Sequence, residues 1–169
     1  MQLLIRFFIE LCTLRRAPQD LPASLLLLGV TAAADWLVGM LVGITAGAAW
    51  WMSLVQGGIE IVATLLALYV ALALFKRSAR FQQSATALFG SSALLGLAAL
   101  LPLSLSVGQG ALTDLALIGA LLLLGLVIWG IVVTGHILRH TFDISLGQGI
   151  LIGIALEVVS VIVVTGIFG

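Results

Sequence analysis

Charged side chains are scarce in this sequence. Only 8% of its 169 residues are Asp, Glu, Lys or Arg, whereas about a quarter of the residues of an average soluble domain are charged. Hydrophobic residues make up 62% of the chain, which leaves too little polar surface for a water-soluble globule. The composition excludes that class and predicts a chain that faces lipid or other apolar helices.

Cysteine is nearly absent, and neither sign of charge is in excess. The one cysteine, Cys12, has no second cysteine with which to form a disulfide or a metal site, and we expect it to be inert. Seven basic residues balance seven acidic ones. A chain without a basic field is not expected to bind nucleic acid.

The sequence motifs of common enzymes are missing as well. The chain has no His-Glu-x-x-His zinc-protease motif and no phosphate-binding glycine loop. Gly90-Ser91-Ser92-Ala93 lacks the second glycine of a Gly-x-Ser-x-Gly nucleophile elbow. We therefore expect a protein that is not an enzyme and that needs no cofactor.

Long apolar segments dominate what is present. A helix needs about 20 mostly apolar residues to cross a hydrocarbon core of about 30 Å. Five segments meet this requirement: 22–44, 57–75, 85–107, 112–138 and 147–168. The sequence therefore predicts an all-α fold, in which residues 1–169 form a single membrane domain with five transmembrane helices.

The basic residues fall on one side of these five segments. They precede the first segment, join the second to the third, or join the fourth to the fifth: Arg6, Arg15, Arg16, Lys76, Arg77, Arg80 and Arg139. The opposite connections, at Trp50-Trp51-Met52 and Gly108-Gln109-Gly110, contain none. Because basic loops are retained in the cytoplasm, we expect a cytoplasmic N-terminus and an external C-terminus.

Residues 1–17 have the pattern of an amphipathic helix. Leu3, Phe7, Leu11 and Leu14 share one helical face, and the opposite face is polar. Such a helix either lies flat at the membrane surface or packs on the cytoplasmic ends of the bundle.

Glycines recur at four-residue spacing in the first and fifth segments, as Gly39 with Gly43 and Gly149 with Gly153. Four residues return a helix to nearly the same face, so each pair forms a groove that a second helix can approach closely. The groove either holds a partner or a second copy of the chain, or it serves packing within the chain.

Three acidic residues lie inside the predicted spans: Asp35, Glu60 and Glu157. A charged side chain at the membrane centre costs about 2.5 to 3.5 kcal/mol, and helical rise places these three at comparable heights. They either hydrogen-bond helices together, form a cation or proton path, or contact lipid or partners. We expect at least one to be protonated at neutral pH.

A polar cluster of His136, His140 and Asp143 ends the fourth segment. Two histidines four residues apart, together with an acid, could hold a metal ion, but Arg139 between them would repel a cation. We prefer an interfacial cap for the helix, and predict no metal.

From Phe75 onward the chain resembles the Yip-domain family of five-span membrane proteins. The resemblance is carried by the basic loop 75–83, by Ala85-Thr-Ala-Leu-Phe-Gly90, by the proline-bearing 100–103, and by Trp129 before Gly135-His-Ile-Leu-Arg-His140. It implies a bacterial, non-enzymatic inner-membrane organiser. The chain lacks the long polar N-terminal region of the eukaryotic members, so GTPase binding is not implied.

Two functions follow as expectations. The first is an adaptor or complex subunit in which Gly39, Gly43, Gly149 and Gly153 form contact surfaces in the bilayer, either with other membrane subunits or between copies of the chain. The alternative is a small transporter or channel subunit that uses Asp35, Glu60 and Glu157. A water-filled route joining these acids would favour the alternative, and dry packing of the acids would favour the first.

Overall fold

A computed structural model describes residues 2–107 and 113–168, and it is all-α over those residues. Six helices follow in order: α1 (Gln2–Cys12), α2 (Leu25–Thr45), α3 (Trp50–Leu74), α4 (Phe81–Val107), α5 (Asp114–Phe142) and α6 (Leu146–Phe168). Short 3-10 turns, Pro18–Asp20 and Ser78–Arg80, precede α2 and α4. The predicted all-α class is confirmed for these residues, whereas the expected loop Gly108-Gln109-Gly110 lies outside the described residues.

Four of these helices are long and apolar enough to cross a membrane, where the sequence predicted five. They are α2, α3, α5 and a stretch, Ser78–Val107, that contains α4. The part of α6 whose side chains are described continuously, Leu146–Ile162, is apolar but shorter.

The predicted ends of the spans differ most at α3. This helix begins at Trp50, seven residues before the expected start, because the tryptophans assigned to a connection form its first turn. Side-chain caps start two of the other helices: Ser24 accepts a hydrogen bond from the Leu27 amide, and Thr113 from the Ala116 amide.

The five long helices form a closed ring. Around it, α2 packs on α4, α4 on α5, α5 on α6, α6 on α3, and α3 returns to α2. The buried core is concentrated toward the end of the ring where α3 ends and α4 begins, and Leu68, Leu72, Ala87, Val133 and Ile137 are fully buried there. This end also carries Arg77, Arg80 and Arg139, and is called the basic end below.

Helix α1 packs against the outside of the ring on α4. Phe8 covers Gly90, which has no side chain to obstruct the ring, and the Trp129 indole N–H of α5 donates to the Cys12 carbonyl at 3.0 Å. Of the expected apolar face, Leu11 is fully buried and Leu3 is 84% exposed, and Phe8 and Cys12 are buried as well.

Asp143 ties the basic end together. It adopts a left-handed conformation (φ 54°) after the last turn of α5, and its carboxylate accepts hydrogen bonds from Arg77 and Arg80 of the α3–α4 connection. The Arg80 guanidinium also donates to the carbonyls of His140 and Thr141. Hydrogen bonds, from Arg80 first and then Arg77, hold the pKa of Asp143 below its usual range.

We expect Asp143→Asn to lower the thermal unfolding temperature by more at pH 7 than at pH 3. Asparagine tolerates the left-handed backbone, so the change removes the charge alone. A carboxylate whose pKa is lowered by folding stabilises the fold above its unfolded pKa of about 3.9, and that stabilisation is lost at lower pH. Unfolding of the two proteins in the same detergent from pH 7 to pH 3 measures this, and a constant gap would contradict it.

Candidate functional site

The three intramembrane acids line one cavity inside the helix ring. Asp35 comes from α2, Glu60 from α3 and Glu157 from α6, and the cavity has a volume of about 170 Å³. Glu60 and Glu157 are exposed, and Asp35 is partly buried. The three carboxyl groups are close enough to interact electrostatically. The similar heights predicted from helical rise thus correspond to a shared site.

Local helix geometry explains why the acids meet. Asp35 lies ten residues after the start of α2, and Glu157 lies eleven residues after the start of α6. At 1.5 Å per residue these positions are about 15 Å and about 16 Å from the basic ends of their helices. Because α3 lies between α2 and α6 in the ring, its Glu60 completes the group.

Hydroxyl groups make up most of the other polar surface of the cavity. The Ser92 hydroxyl of α4 faces the same cavity as the Asp35 carboxyl, and Thr64 and Thr134 also line it. The described lining residues include no Lys or Arg. The site is therefore built to receive hydrogen bonds and positive charge, and the chain places no cation of its own there.

Trp36 forms a wall of the cavity that the sequence reasoning missed. Its indole N–H donates to the Leu54 carbonyl of α3 at 2.9 Å, and its ring lies over Gly57, where a β-carbon would come within 2.8 Å. The Gly57-Gly58 pair was the sequence signal for this close approach. On its other side Trp36 borders an apolar groove of about 670 Å³ along α3.

At three of the four glycines that were predicted as contact surfaces, other residues of the same chain occupy the space beside the glycine. Gly43 faces Ser53, Gly149 lies directly against the backbone of Gly135, and Gly153 contacts Thr134. At Gly39 no atom lies within 4 Å of an added β-carbon. This glycine lines the cavity that contains the three carboxyl groups.

The polar cluster at the end of α5 joins chain segments. His136 and His140 are in edge contact, with ring centroids 4.7 Å apart, and Nε2 of His136 hydrogen-bonds to the Arg16 carbonyl at 2.9 Å. The His140 carbonyl accepts a hydrogen bond from Gln19. Asp143 is paired with Arg77 and Arg80. No group of metal-ligating side chains occurs among the residues described.

Comparisons of the chain with protein-family models, with curated proteins and with solved structures found no match.

Proposed function

We propose that this chain is a multi-pass inner-membrane protein with five spans, in which α6 is the fifth. Its place in the ring between α5 and α3 supports this count. For the orientation, the support is that basic segments distant in sequence meet at one end: Gln19 bonds to His140, and Arg80 bonds to Asp143. Retention of positive charge puts that end, and with it the N-terminus, in the cytoplasm.

Within this frame, the chain binds a cation in the carboxylate cavity and acts as a small transporter or channel subunit. The observation that carries the proposal is the convergence of Asp35, Glu60 and Glu157, from three different helices, on one cavity. Ionisable residues inside a membrane bundle commonly mark the pathways of ions and protons. In the structure Glu60 and Glu157 are exposed and Asp35 is partly buried.

The energetics favour a bound positive charge. Each ionised carboxylate costs about 2.5 to 3.5 kcal/mol at the membrane centre, and the mutual repulsion of three such groups adds to that cost. No Lys or Arg lies among the described lining residues to offset it. A proton or another cation supplied from outside would do so.

We expect Asp35→Asn and Glu157→Gln each to abolish cation flux into proteoliposomes that contain the purified protein. Each change removes one of the charges that stabilise the cation while keeping the size of the side chain. Flux is measured with a Na⁺ indicator and, separately, with a pH indicator trapped inside the vesicles, under an imposed gradient.

Asp114→Asn is the matched control for this experiment. Asp114 is exposed in the first turn of α5 and lies outside the cavity lining, so its replacement should leave flux unchanged. Wild-type vesicles that conduct neither ion faster than protein-free vesicles would contradict the proposal. So would flux that survives in both cavity variants.

An adaptor role, the other function expected from the sequence, has one specific observation in its favour. The apolar groove along α3, lined by Gly58, Ala63 and Ala67 among others, has small residues that let another helix approach. Membership of the Yip-domain family, which would imply such a role, is likewise a proposal. Co-purification in mild detergent of a stoichiometric partner, lost in Asp35→Asn, would support the adaptor.

A further inference from the structure

A second, larger cavity adjoins the carboxylate cavity. A cavity of about 430 Å³ lies among α4, α5 and α6. Five residues line both cavities: Leu88, Ser92, Thr134, Gly153 and Glu157. Glu157 therefore stands at the junction, with the other two acids on one side and the larger cavity on the other.

The second cavity is mainly aliphatic. Leu95, Ala99, Leu126, Val127 and Ile131 contribute to its walls. Its volume lies within the range of about 300 to 1,000 Å³ typical of small-molecule sites. A water molecule occupies about 30 Å³, but apolar cavities stay dry even when they are large enough to hold water. This space therefore suits an apolar group better than a hydrated ion.

We propose that the two cavities together bind an amphiphilic organic cation. Its ammonium group lies among Asp35, Glu60 and Glu157, and its apolar body lies between α4, α5 and α6. This inference rests on the proposed cation site and narrows it, because three acids without a base select positive charge while the adjoining aliphatic space selects an apolar chain. A bare metal ion would leave the larger cavity unused.

Three probes that share parts test the inference: octylammonium, methylammonium, which keeps only the charge, and octanol, which keeps only the chain. Binding is measured by calorimetry with the full-length protein in nanodiscs, and the signal of empty nanodiscs is subtracted to remove partition into lipid. Burial of one methylene tightens binding about fourfold. We expect wild-type protein to bind octylammonium at least tenfold more tightly than either single-feature probe.

Two variants then assign the two parts of the site. Glu157→Gln should weaken the binding of octylammonium at least tenfold and leave the binding of octanol unchanged. Gly130→Leu places a side chain in the second cavity, where Leu95 is 3.7 Å from the added β-carbon, and should remove the preference for octylammonium over methylammonium. Gly125→Leu, at a position with no neighbour within 4 Å, is the control and should keep that preference.

The outcomes separate this inference from the proposed function. If the wild-type protein carries Na⁺ or protons but binds octylammonium no better than methylammonium, the inference is overturned and the cation site stands. If octanol binds as well as octylammonium, the inference is also overturned, because charge plays no part. If no cation binds or moves, both fail. The wild-type comparison requires no variant to fold.

Discussion

Gly90→Leu should make Cys12 react with a water-soluble maleimide about 100-fold faster at pH 7. In the native fold the Phe8 ring occupies the position of a side chain at Gly90, so leucine there would displace α1 from α4. Burial raises the pKa of the Cys12 thiol to about 11 from its ordinary value of 9.0, and the thiolate is the reactive form. Each pKa unit lowers the thiolate fraction tenfold, which accounts for the factor.

The chain is suited to this measurement because Cys12 is its one cysteine. The rate follows from the mass increase of intact protein over time in mild detergent. Gly29→Leu, on α2 with open space around it, is the control and should keep the slow rate. Equal rates in the wild type and Gly90→Leu would show that α1 does not depend on this contact.

Gly149→Leu should prevent recovery of the folded protein. A β-carbon at Gly149 would overlap the carbonyl oxygen of Gly135 and come within 3.0 Å of the Arg139 amide nitrogen. Both obstacles are backbone atoms of α5, so no side-chain rotation relieves them and the two helices must separate. Overpacking usually lowers the free energy of unfolding by about 1 to 3 kcal/mol. Because backbone atoms cannot rotate away, we expect the loss for Gly149→Leu to be at or above the top of that range.

Gly147→Leu is the matched control. It lies two residues earlier in α6, with no atom within 4 Å of an added β-carbon. Size-exclusion chromatography in mild detergent compares the yield of monodisperse protein for the two variants and the wild type. A normal yield and unfolding temperature for Gly149→Leu would contradict the contact between α5 and α6.

Composition and hydropathy were enough to predict an all-α membrane protein, because segments of about 20 apolar residues have few other uses. They placed the start of α3 late because tryptophans are common both at membrane interfaces and inside helices. They also gave no sign that Phe8 of α1 would be buried. Periodicity selects the most apolar stripe, but Phe8 is buried because distant Gly90 leaves space for it, and one-dimensional patterns carry no such information.

The candidate site was predictable in its acids but not in its walls. Asp35, Glu60 and Glu157 stand out because charge is rare within apolar segments. The sequence does not say which helices are neighbours, so the contact of α3 with α6 that brings Glu60 beside Glu157 could not be foreseen. Trp36, Ser92 and Thr134 are ordinary residues of membrane helices, and only the folded ring makes them part of a cavity.

The closing contact of the ring also bears on how the protein is made. Helices α2 and α3 are synthesised before α6. In the ring, however, α6 is the helix that packs between α3 and α5. Asp35 and Glu60 therefore enter the bilayer before the helix that bears Glu157 has been synthesised. Until then they have no enclosed space to face. Arrival of α6 completes the wall of the cavity, so the acid cluster assembles only after α6 has been synthesised.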